Sequence, residues 1–105
     1  MANKELGEVA FDIGGKEYTL RLETGAMAAI ETELEMDLDA VLQSRRIGCL
    51  ICIFRHALRA HHGDISKEEA AELLNVAGLG PTRTAIGSAL VNSRPLQNKV
   101  ASKNV

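Results

Sequence analysis

The chain has no tryptophan and only three aromatic side chains, Phe11, Tyr18 and Phe54, so any core must be built from Leu, Ile, Val, Ala and Met. It has no long apolar run either. The longest, Gly48 to Phe54, falls far short of the roughly 18 residues that cross a membrane, and no membrane partner is expected. An excess of basic charge is also missing. Lys and Arg number 12 against 14 Asp and Glu, a formal net charge of −2, which argues against a nucleic-acid partner. Behind Lys4 there is no apolar stretch of the kind that makes an export signal. The two cysteines, Cys49 and Cys52, therefore read as reduced thiols in a cytoplasm. What is present, 46% hydrophobic and 25% charged residues, is a globular mix rather than a disordered one. A chain of 105 residues fits one domain. So small a body buries only part of its surface, and self-association is expected to add stability.

The first unit reads as a β-hairpin. Val9, Phe11 and Ile13 alternate with Glu8, Ala10 and Asp12, and after Gly14-Gly15 the residues Tyr18, Leu20 and Leu22 alternate with Glu17, Thr19 and Arg21. A two-residue Gly-Gly loop suits the primed turns that hairpins use. It sets Ile13 opposite Lys16, Phe11 opposite Tyr18 and Val9 opposite Leu20, all on one face. Glu8 then meets Arg21 on the other face, a favourable pair. A lone hairpin is barely stable, so its apolar face calls for helices to cover it.

Everything after Glu23 has helical spacing. Thr24 is the expected cap of a first helix carrying Met27, Ile30 and Leu34. A short second helix is expected over Asp37 to Gln43, with Leu38, Val41 and Leu42 inward. Gly48 should separate it from a third, Cys49 to His61. There Leu50, Ile51, Phe54, Leu58 and His61 form a stripe facing the hairpin, Arg55 and Arg59 form a basic edge, and Gly63 stops the helix. Ser66 and Glu69 make a capping box for a fourth helix, with Ile65 and Ala70 as its staple and Leu73, Leu74 and Ala77 inward. After Gly78, Pro81 suits the first turn of a last helix carrying Ala85, Ile86, Ala89 and Leu90. The expected fold is α+β and mainly helical, with the N-terminal hairpin packed against four or five short helices. Residues 94–105 hold Arg94, Lys99 and Lys103 with no acid and read as a flexible basic tail. Taking the tail's three bases from the 12 leaves residues 1–93, which hold all 14 acids, at −5.

Three constellations suggest chemistry, and each has a structural explanation. Cys49, Cys52 and His56 share a helix face at metal-ligand spacing, yet no second ligand pair follows and the neighbours are apolar, so the thiols read as small core hydrophobes. His61 and His62 close a helix, where capping explains them better than catalysis. Glu31 to Asp39 holds five carboxylates in nine residues, but without the glycine and terminal glutamate of a calcium loop. It reads as one helix ending and a second beginning. No catalytic residue, metal or cofactor is expected.

In order, Gly7-Glu8-Val9, then Gly15-Lys16-Glu17-Tyr18-Thr19-Leu20-Arg21-Leu22, then Thr24 to Glu31 resembles the opening of the small tail-component proteins of tailed phages and alphaproteobacterial-type gene transfer agents. Ala57 to His62, Ile65 to Ala70 and Leu73-Leu74 resemble that family's central helices, and Gly78 to Asn92 its last one. The likeness covers residues 7–93; the Cys49–Cys52 stretch and the basic tail lie outside it. It implies a tail-assembly-chaperone-like domain over residues 1–93, with no enzymatic activity, in a host bacterial cytoplasm. The implied partners are the tape-measure protein, bound transiently, and tail-tube subunits. Some members carry a tail-tube label, so a structural tube component retained in the particle is the alternative. The apolar helical positions Met27, Ile30, Leu34, Leu50, Phe54, Leu58, Leu73 and Leu74 are the expected partner surface, as a re-packable groove.

Overall fold

Gly14 and Gly15 take φ of 59° and 85°, values that cost glycine little, and the chain reverses there. The structure, a computed structural model, describes residues 2–93 and 95. A short 3-10 turn, Lys4–Leu6, leads into β1, Glu8–Ile13, and β2, Lys16–Arg21. Five helices follow: α1, Thr24–Leu34; α2, Leu38–Gln43; α3, Ile47–His62; α4, Lys67–Ala77; and α5, Leu79–Asn92. The two strands pair antiparallel in the register expected from the Gly-Gly loop, from Ile13 with Lys16 through Phe11 with Tyr18 to Glu8 with Arg21. The fold class is α+β and mainly helical. The basic tail, residues 94–105, lies outside the described residues except for Pro95.

The hairpin turns Val9, Phe11, Ile13, Tyr18 and Leu20 toward the helices. α3 runs against β2 and also contacts α1, α4 and α5, while α5 packs on β1. Eight of its residues are buried: Cys49, Leu50, Cys52, Ile53, Phe54, His56, Ala57 and Leu58. Phe54 has no exposed surface, and the Phe11 ring meets it edge-on, 6.3 Å between centroids. Ile51 does not face the hairpin as expected. It is half-buried in a groove with Leu34 of α1 and Ala71 of α4, because neighbours surround α3 on more than one side.

The helix boundaries differ from expectation where caps were inferred from residue type alone. Thr24 is the first helical residue rather than the cap. Glu23 holds the N-cap position, with no side-chain bond to the helix. Gly48 lies inside the first turn of α3, which begins at Ile47. Leu42 turns outward and is 40% exposed, since the six residues of α2 bury only Val41 fully. Between α1 and α2, Glu35 adopts a left-handed φ of 52°, a position where a non-glycine residue costs about 1 kcal/mol. Glu31 bridges the corner, its Oε2 accepting the Leu38 N–H at 2.7 Å. The Ser66 capping box forms as expected: Ser66 Oγ accepts the Glu69 N–H at 3.1 Å, and Ile65 and Ala70 are both buried.

Thr82 of α5 is wholly buried and its Oγ1 has no hydrogen-bond partner among the described residues. A buried hydroxyl without a partner carries its desolvation cost uncompensated. Thr82→Val keeps the shape and removes the hydroxyl, and urea unfolding is expected to show a gain of about 1 kcal/mol. A loss of stability would mean that the hydroxyl is bonded in solution.

Candidate functional site

α2, α3 and α5 leave an open groove of about 520 Å³ between them. Val41, Leu50, Ile53, Ile86 and Leu90 give it an apolar lining, while Arg45 and Arg83 add positive charge. α2 ends at Gln43, and Ser44 and Arg45 of the link to α3 complete the lining. Arg21, Arg55 and Arg59 are each ion-paired, to Glu23, Glu33 and Asp64 respectively. Among the described residues Arg45, Arg46 and Arg83 make no ion pair. Leu42, also in the lining, is 40% exposed on α2, and Ile47 is 52% exposed at the start of α3.

The residues expected to meet a partner divide into two sets. Ile30, Leu50, Phe54, Leu58 and Leu74 are buried and hold the interior together. Met27, Leu34 and Leu73 are half-buried. Helical spacing identified the inward stripes, and a stripe that packs well against the hairpin is not open to a partner. Of the expected residues, only Leu50 also lines the α2–α3–α5 groove. Arg45 and Arg83 were not singled out from the sequence. They lie 38 positions apart, and no local periodicity links the α2–α3 connection to α5.

Cys52 and His56 do come together, joined not by Cys49 but by Glu33 of α1. Donor atoms of the three lie within 4.8 Å of one another. His56 Nε2–H donates to Glu33 Oε1 at 3.1 Å, and Arg55 Nη1 donates to the same oxygen at 3.2 Å. Lys67 Nζ is 3.9 Å from the other oxygen. Burial pushes the Glu33 carboxyl up, but the hydrogen bonds from Cys52 and His56 and the charges of His56 and Lys67 together outweigh it and leave the group below its ordinary value. Burial and the neighbouring carboxylate push the Cys52 thiol up to about 12, so at neutral pH it is a protonated donor and a poor nucleophile. A cation would have to compete with a guanidinium for Glu33 and displace that proton. The cluster braces α1 on α3, with Arg55 Nε also reaching the Ile65 carbonyl at 2.6 Å. Cys49 and Cys52 are both free and buried.

His61 and His62 close α3 but act on the hairpin rather than on the helix end. His61 Nε2–H donates to Glu8 Oε2 at 2.6 Å, and the Asn3 N–H donates to Glu8 Oε1 at 2.8 Å. Those bonds, the Asn3 amide foremost, hold the Glu8 carboxyl below its ordinary range although it is only 7% exposed. His62 Nε2 instead accepts the Thr19 N–H of β2 at 3.0 Å, so its proton sits on Nδ1. Its ring lies 5.0 Å from that of Tyr18. α3 runs along the outer edge of β2, and this brings the imidazoles to the strand.

No protein-family model, curated protein or solved structure matches the chain significantly. No helix among the described residues is long and apolar enough to cross a membrane.

Burial, with the charges of His61 and Lys16, lowers the His62 pKa in the folded protein. The unfolded imidazole takes up its proton near 6.5 and the folded one resists, so stability is full above that value and falls as the pH drops through it. The loss levels off below the folded value. His62→Gln keeps an acceptor for Thr19 and removes the titration. Urea midpoints between pH 7.5 and 5.5 are expected to fall less in the variant than in the parent. Glu8, lowered from 4.5, acts in the same direction only at lower pH. Equal slopes in parent and variant would contradict the assignment.

Proposed function

We propose that this protein is a tail assembly chaperone: a non-enzymatic factor of the bacterial cytoplasm that holds the tape-measure protein transiently while a phage-type tail is built. The observation that carries this reading is the ordered set of sequence blocks from Gly7 to Asn92 that resembles the small tail-component family. The α2–α3–α5 groove supports it physically. Open apolar surface with positive charge suits an amphipathic helix, and a tape-measure protein is rich in helix. Under this reading the partner's apolar residues sit on Leu42 and Leu90, over the buried floor formed by Ile53 and Ile86, and its acids meet Arg45 and Arg83.

The tube reading requires strands that continue from one subunit to the next. The two strands here are six residues each, and the outward N–H of Thr19 is bonded to His62. These features favour a factor that leaves over a subunit that stays. Tail-tube subunits remain a secondary partner in the proposal.

Co-expression with the tape-measure protein of the same phage is expected to keep that client soluble, and the two should co-purify. Mass spectrometry of finished particles should then find none of this chain. Many copies per particle would favour the tube reading. Failure to co-purify would contradict the chaperone reading.

A further inference from the structure

The sheet has two edges, and only that of β2 is closed by a neighbour. In an antiparallel pair, residues opposite each other either bond to one another or both turn their backbone groups outward. Thr19 turns outward, its N–H taken by His62, so its partner Ala10 turns outward on the other edge, and so does Asp12 two residues on. Among the described residues no backbone hydrogen bond is made by Ala10 or Asp12 on that side, and both residues are exposed. α5 touches both strands, so it lies across the face of the sheet and not along the outside of β1. Val9 and Phe11 point toward the helices yet are only half-buried, which leaves apolar surface beside this edge. On the opposite face Asp12 stands across from Glu17; both are exposed, and neither makes an ion pair among the described residues. The edge of β1 therefore offers unpaired backbone groups, with apolar side chains on one face and negative charge on the other.

α5 returns the chain to the start of that edge. A β-carbon on Gly14, at the hairpin tip, would lie 3.3 Å from Val76 Cγ1, which sets the α4–α5 junction by the tip. A β-carbon on Gly7, just before β1, would lie 3.2 Å from the Asn92 carbonyl oxygen and 3.5 Å from Ser93 Cα, which sets the end of α5 at the base. Pro95 is helical, and residues 96–105 beyond it lie outside the described residues. They hold Lys99 and Lys103 and no acid. Fully extended they reach about 33 Å, against about 20 Å for the length of β1. We propose that this C-terminal segment lies along the outer edge of β1 of its own chain, running parallel to it as a third strand. In an extended segment Leu96 and Val100 fall on one face, and Lys99 and Lys103 on the other. The apolar pair covers the surface beside Val9 and Phe11, and the lysines meet Asp12 and Glu17. Residues 1–93 carry a formal charge of −5, so a basic segment tethered to them is drawn in at high effective concentration. A strand in this place closes the edge to other chains, and lysines on an outermost strand discourage further pairing. The contact involves no client, so its failure would leave the chaperone reading standing.

The test is amide hydrogen exchange on the full chain, read at Ala10 and Asp12. An open edge leaves these two amides unprotected, and a paired one protects them. Protection is expected in the parent at every protein concentration. Lys99→Glu with Lys103→Glu, and separately Leu96→Asp with Val100→Asp, should each speed exchange at both amides roughly tenfold or more. The amides of Leu50 to Leu58 should keep their rates in both variants, which checks that the fold is intact. Unprotected amides in the parent, or protection that survives both variants, would overturn the proposal. Protection that disappears on dilution would overturn it as well, and would assign the edge to a second copy of the chain.

Discussion

Phe54 has no exposed surface, and the helix around it is enclosed by β2, α1, α4 and α5. With only three aromatic residues in the chain, two of them meet where the hairpin joins α3, Phe11 edge-on to Phe54. Leu20, Leu22, Ile30 and Leu58 close around that joint with no more than 1% exposure each. The hairpin could not persist without such a cover. The other helices have fewer buried positions of their own and pack against the surface that α3 and the hairpin provide.

Polar side chains tie the same assembly at its margins. Glu33 brings α1 to α3 through Cys52, His56 and Arg55, and Glu8 with Thr19 brings the hairpin to the end of α3 through His61 and His62. In each case a group that is costly to bury has a partner of matching chemistry. The three histidines and Cys52 are thereby accounted for as structural groups. What is left for recognition is surface: the open groove and the arginines beside it.

The elements were legible in the sequence because the signals for them are local. The Gly14-Gly15 loop set the register of every strand pair, and Ser66 with Glu69 marked the start of α4. The caps at Glu23 and Arg46 were not legible, since neither side chain caps its helix with a hydrogen bond that a residue type could announce. Glu35 was hidden too, being a non-glycine residue in a left-handed corner. Residues that meet only through the fold were harder still. Glu33 reaches His56 across 23 positions, and Arg45 and Arg83 share a groove across 38. Apolar spacing identified what is buried, which is why five of the eight expected partner residues belong to the interior.

This division between a closed interior and an open groove is the central claim, because it decides where a partner can bind. Native-state hydrogen exchange tests it most directly. The amides of Leu50 to Leu58 in α3 are expected to exchange only with global unfolding, at the free energy that urea unfolding gives. Those of the six-residue α2, beside the groove, should exchange through smaller local openings. Fast exchange within Leu50 to Leu58 in the folded protein would contradict the account, since it would mean that the helices part and that a partner can reach Phe54 and Leu58.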